Sequence, residues 1–220
     1  MCYFPDIQYT NEFVPLDRPL NHLPKSPRGM FTILVHKEIV SPLFLDGINN
    51  MCDLENEIFN LIDHYPENGA SLERVFHLIQ IWGGIMGKGI YNLQEFNWPM
   101  VEAVYRPFVD FFRNIFHLDN ATLIGADAMV GVFYAALHDV HHKGMSVAFI
   151  TKHSRFWMHR NMPDQMLPIY DSTFSLHVMQ KGPMAKKRDL LPYWRAMINK
   201  AEMEHVSLTA LERQLFDHFR

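Results

Sequence analysis

Lys152 stands in TKHSRFWMHRNMPDQMLPIYDS (151–172), with Phe149, Ile150, Phe156 and Trp157 as its sequence neighbours and Asp171 nineteen positions on. A lysine amine attacks an electrophilic carbon only in its neutral form. Burial among apolar groups lowers the ammonium pKa and supplies that form. A carboxylate opposite can accept a proton or stabilise a developing cation. Asp171 precedes STFSLHVM, where a helix N-cap belongs, so backbone N–H groups would hold it in place. The structural alternative is a snorkelling lysine and a plain N-cap aspartate.

Other chemistry is less completely specified. HDVHH (138–142) supplies His138, His141 and His142, two of which can share a helix face. A hydrolytic zinc site would need a third ligand and an acid, as in HExxH, and neither is encoded nearby. Asp139 beside His138 also suits a metal-dependent phosphohydrolase pair, but its other histidine and aspartate have no evident place. The expectation is no metal, with the histidines at the negative pole of a helix end. IWGGIMGKGIY (81–91) approaches a phosphate-binding loop, but Gly89 follows Lys88 where a Ser or Thr would hold magnesium, and no strand precedes it. A GxSxG motif is absent. Cys2 and Cys52 are too few for a zinc site, an iron–sulfur cluster or a disulfide framework.

The elements that must position Lys152 and Asp171 are helical. The 220 residues are 48% hydrophobic and include 14 Met and 13% aromatic residues, enough for a packed helical core. Apolar spacing predicts helices from about 45–64 (Ile48, Met51, Cys52, Ile58, Ile62) and 71–82. Further helices are expected over 99–117, interrupted or bent near Pro107, and over 125–140. Ser146 is placed to cap a helix running to about 160. NMPDQMLPIY is a loop, and two last helices are expected at 190–205 and 208–219. FTILVHKEIV (31–40) suits a strand or a helical turn. Residues 1–29 read as an extended arm, followed by one helical domain over 30–220, with two lobes as the alternative. The fold class is all-α.

Charge is uneven. Residues 1–73 hold four Lys/Arg against eleven Asp/Glu, and residues 140–200 hold ten against three, so the balances are −7 and +7 within a net charge of −4. The basic stretch can follow a phosphate backbone or be a solvated face. The N-terminus lacks a basic n-region and an apolar run, and no stretch reads as a membrane span. The expectation is a soluble, cytoplasmic protein that does not engage membranes.

Thr151-Lys152-His153, Phe156-Trp157 and Pro168-Ile169-Tyr170-Asp171-Ser172 together resemble the helix-hairpin-helix DNA glycosylase superfamily, in particular 8-oxoguanine DNA glycosylases and their bacterial relatives. The likeness is sharpest over about 125–180 and extends loosely to SLTALERQLF. It implies a helix-hairpin-helix fold, double-stranded DNA with a damaged purine as partner, and no cofactor. It also implies extrusion of the nucleotide, attack of Lys152 on C1′ to form a Schiff base, and stabilisation of the cationic sugar by Asp171. His153, Trp157 and Tyr170 become candidate substrate contacts, the two aromatics by stacking on a base or else as core. His142, Lys143, Gly144 and Arg155 become candidate DNA contacts. The chain departs from the family where an apolar-Pro-Gly-x-Gly hairpin should precede the lysine: Ala148-Phe149-Ile150-Thr151 has no glycine, which leaves HHKGMS as the candidate substitute loop or else a fold kept without DNA binding. Two other functions stay open: a non-catalytic helical binding protein that keeps the fold, and a metal-dependent hydrolase centred on HDVHH.

Overall fold

The computed structural model describes residues 51–66, 71–82, 97–139, 146–182 and 184–219. They form an all-α protein, with no strand among them. The helices are α1 (Met51–Asp63), α2 (Leu72–Trp82), α3 (Trp98–Arg113), α4 (Asn120–Asp139), α5 (Val147–Met158), α6 (Ser172–His177), α7 (Leu190–Glu204) and α8 (Leu208–Phe219). A 3₁₀ turn at Lys187–Asp189 leads into α7. The arm at 1–29, the segment FTILVHKEIV, most of the glycine-dense stretch (83–91) and the loop residues His141 to Gly144 lie outside the described residues.

Two compact units emerge, one built from residues up to Trp98 and one from 99–141 with 145–220. In the first, α1 packs on α2. Leu54, Ile58 and Ile62 recur at helical spacing and are buried, as are Val75, Phe76 and Ile79 of α2. The buried Glu55 carboxylate is satisfied by the Trp82 indole N–H at 3.2 Å.

In the second unit α4 packs against both α5 and α7, and α8 packs against α7 and α6. Its core is strongly aromatic. Tyr105, Phe108 and Phe112 of α3 are fully buried, and the Tyr105 and Phe108 rings lie 5.5 and 4.6 Å from Phe133 of α4. The i, i+3, i+4, i+7 spacing of Val101, Tyr105, Phe108, Val109 and Phe112 gives α3 one apolar face. Pro107 lies on the exposed side, and α3 continues through it rather than breaking there. A missing N–H is tolerated best where water can satisfy the freed carbonyl.

α4 begins five residues before the expected start, because Asp119 caps it: the Asp119 Oδ1 accepts the Thr122 N–H at 2.7 Å. That bond holds the Asp119 carboxyl below its usual range. Asn120–Leu137 is apolar and long enough to cross a membrane by length and composition, against the sequence expectation of no such stretch. Asp127 interrupts the window and pairs with Lys187 at 2.7 Å, and charges of this kind are costly in lipid. α5 starts where expected. Ser146 is its N-cap by position, but the Ser146 carbonyl, not its hydroxyl, makes the cap bonds, accepting from Phe149 and Ile150 N–H groups at 2.9 and 3.2 Å. α7 ends on His205, which adopts φ 55° and whose N–H reaches the carbonyls of Ala201 and Glu202.

Candidate active site

The residues that carry Asp171 form an extended buried segment, Met166–Tyr170, between α5 and α6. Extended chain without a strand partner leaves its backbone polar groups to be satisfied some other way. Side chains do this here. The Met166 N–H donates to Thr209 Oγ1 at 3.3 Å. Trp194 Nε1 donates to the Pro168 carbonyl at 3.0 Å, and the Tyr193 hydroxyl to the Ile169 carbonyl at 2.8 Å. The Ile169 N–H donates to Glu212 Oε1 at 2.6 Å. The Tyr170 N–H donates to Thr151 Oγ1 at 3.0 Å. Helices α5, α7 and α8 therefore each hold this segment by at least one specific bond.

The Thr151–Tyr170 bond has a geometric consequence. It ties the residue before Lys152 to the residue before Asp171, and the Asp171 carboxylate is near enough to act on the Lys152 ammonium. Thr151 serves as the adaptor, since its hydroxyl also donates to the Ala148 carbonyl at 3.1 Å, leaving the oxygen's lone pairs for Tyr170. Asp171 then caps α6: its Oδ1 accepts the Thr173 and Phe174 N–H groups at 2.9 and 3.1 Å. That N-cap was expected from sequence, and it fixes the carboxylate in one rotamer.

Lys152 is half-buried, and its Nζ lies 4.5 Å from the centroid of the Phe149 ring. Burial pushes its ammonium down to about 8, and the Asp171 carboxylate opposes that fall. Desolvation wins because the lysine stem is enclosed by packed side chains, while Asp171 is itself partly spent on two N–H groups.

Behind this pair lies a second, buried one. Arg155 Nε donates to Glu212 Oε2 at 2.9 Å, with the two side chains 2% and 0% exposed. Burial pushes the Glu212 carboxyl up, and the Arg155 charge and the Ile169 N–H pull it back. Arg155 was expected to contact DNA. Its burial corrects that expectation, because its guanidinium is committed to Glu212 inside the unit.

The candidate substrate contacts are likewise core residues. Trp157 is fully buried, and its indole N–H donates to the Tyr105 hydroxyl at 2.6 Å. His153 is buried with Nδ1 2.7 Å from the same hydroxyl. Tyr170 is buried, stacked on Tyr193 at 4.6 Å, with its phenol pushed up by desolvation. None of the three presents its ring at the surface, so the expected stacking on a base gives way to packing. His142, Lys143 and Gly144 lie outside the described residues, as do the side chains of His138 and Asp139. No group of three or more His, Cys, Asp or Glu side chains able to hold a metal occurs among the described residues. Two surface clefts, of about 560 and 280 Å³, flank Phe116 and His117, and neither is lined by Lys152 or Asp171.

Glu212, Tyr193, Trp194 and Thr209 are the positioning residues that sequence reading missed. Comparison with known protein families, with curated proteins and with solved structures yields no match to this chain.

Proposed function

We propose that the chain is a DNA glycosylase with abasic-site lyase activity, acting on a damaged purine through Lys152 and Asp171. The reading is carried by one observation: a half-buried lysine, lowered to about 8, held beside a helix-capping aspartate by the Thr151–Tyr170 bond. A strongly shifted group with a specific charge partner is a candidate for a reactive site. The likeness to helix-hairpin-helix glycosylases over 125–180 gives the site its substrate class.

In the proposed reaction the neutral Lys152 amine attacks C1′ of an extruded nucleotide. The new C–N bond forms as the C1′–base bond breaks and the base leaves with its electron pair. Asp171 stabilises the positive sugar and then takes a proton from the Lys152 nitrogen, through the carboxylate oxygen not used by the cap. Asp171 returns that proton to O4′ as the C1′–O4′ bond breaks and the sugar ring opens to the protonated Schiff base. Loss of the C2′ proton expels the 3′ phosphate, which nicks the strand.

The test is strand cleavage of duplexes carrying 8-oxoguanine or an abasic site. Wild type should nick at least one of them, and Lys152→Gln neither. Wild-type protein inert on every damaged or abasic duplex would contradict the reading. A second reading has an observation of its own: with Arg155, His153, Trp157 and Tyr170 all in the core, the motif also suits a helical binding protein that keeps the arrangement for stability.

A further inference from the structure

The segment after α6 carries Lys181, Met184, Lys186, Lys187 and Arg188. A run of surface cations is ordinarily just a solvated face, and an untethered run would lose its freedom on binding. This one is anchored. Gln180 adopts φ 52°, which turns the chain back so that the Lys181 N–H reaches the Ser175 carbonyl at 2.9 Å. Ser175 Oγ donates to the Gly182 carbonyl at 2.8 Å and accepts from the buried Tyr170 hydroxyl at 3.3 Å. A continuous chain of hydrogen bonds thus joins the residue before Asp171 to the start of the basic loop.

The far end of the loop is fixed as well. Lys187 pairs with Asp127 at 2.7 Å, and its Cε lies 3.3 Å from the place a β-carbon on Gly131 would occupy. Lys187 is therefore spent on holding the loop to α4. The remaining cations point outward: the Lys181 and Arg188 side chains are 52% and 77% exposed. Lys186 is exposed too. Asp189 lies 4.0 Å from Lys181 and 3.9 Å from Arg188, too long for tight hydrogen-bonded pairs. One carboxylate against three outward cations leaves a surplus of positive charge.

We infer that Lys181, Lys186 and Arg188 form a phosphate-binding surface that holds the backbone of duplex nucleic acid beside the Lys152–Asp171 site. This deepens the glycosylase reading, on which the identity of the polyanion rests. A loop whose backbone is already held at both ends loses less chain entropy on binding a regular array of phosphates. An anionic membrane is the lesser fit, since Met184, 71% exposed, is the one large apolar side chain the loop offers.

The test is fluorescence anisotropy of an undamaged 20-base-pair duplex between about 50 and 200 mM salt, using the full chain. Lys181→Gln/Lys186→Gln/Arg188→Gln should weaken binding by about tenfold or more. It should also reduce the slope of log K against log salt by about 0.9 per lost contact, near 2.7 in all. A charge-matched control, Arg106→Gln/Arg195→Gln/Lys200→Gln, should keep most of the slope. Lys186→Glu alone provides the same test should the triple variant melt early. An unchanged slope in the triple variant, no duplex binding by wild type, or triple-sensitive binding to phosphatidylserine vesicles in place of duplex would each overturn the inference. Strand cleavage is scored separately. Cleavage with an unchanged slope removes this surface and keeps the reaction, whereas a changed slope without cleavage keeps the surface and removes the reaction.

Discussion

A partly desolvated ammonium is a destabilising group, and Lys152 carries that cost below its lowered pKa. The folded-state value of about 8 lies under the ordinary 10.5, so the unfolded chain binds the proton more tightly. The destabilisation is complete below pH 8 and is relieved as pH rises from about 8 towards 10.5. Lys152→Met should accordingly raise stability near pH 7, by roughly 1–2 kcal/mol once partial exposure is allowed for. Thermal melts at pH 7 and pH 10 test this, with the gain smaller at the higher pH. The proposed reaction would show the other side of the same shift. About a tenth of Lys152 is neutral at pH 7, so single-turnover cleavage should climb with pH and level off above about 8. Asp171→Asn separates capping from charge. The amide oxygen keeps the cap bonds, so stability should change by less than about 0.5 kcal/mol, against a loss of about 1 kcal/mol in Asp171→Ala. Without the carboxylate that raises it, the Lys152 pKa should fall further, and an amine-labelling titration should show the limb at lower pH. A limb that stays in place would mean that the two side chains do not act on one another.

At the scale of elements, Met166–Tyr170 behaves as a strand whose partners are side chains. Glu212→Ala would strip the acceptor from the Ile169 N–H and leave the Arg155 charge buried without its counterion, a loss of about 3–5 kcal/mol in urea unfolding. Thr151→Val removes the oxygen that receives the Tyr170 N–H while keeping the shape. It should cost about 1–3 kcal/mol, and Thr151→Ser should recover most of it. Recovery by serine is the informative result, because a purely steric role for Thr151 would leave valine the better substitute. These positions also mark what was legible beforehand. The bounds of α2, α5, α7 and α8 were readable to within about two residues, since apolar periodicity and cap residues are local signals. The Asp171 cap was readable for the same reason. Glu212 was not, because its partners lie 43 and 57 positions away and a lone glutamate in a helical pattern looks like any solvated one. Arg155 and Trp157 misled in the opposite sense. Their residue types suit nucleic acid, and only tertiary packing shows that their polar tips are consumed by Glu212 and Tyr105.

For the whole molecule, the chemistry-bearing residues all belong to the second of the two units, which also contains most of the basic stretch. The surplus of positive charge there was legible in composition. Its division into one anchoring lysine and three outward cations needed the fold. The central claim is that Lys152 of this unit is a nucleophile towards the sugar of damaged DNA. The most direct measurement is borohydride trapping of the full chain on a duplex with an abasic site, followed by peptide mapping of the adduct by mass spectrometry. One covalent adduct is expected, on the Lys152 peptide, absent from Lys152→Gln and slowed in Asp171→Asn. An adduct on another lysine, or one that persists in Lys152→Gln, would contradict it, as would no adduct at all.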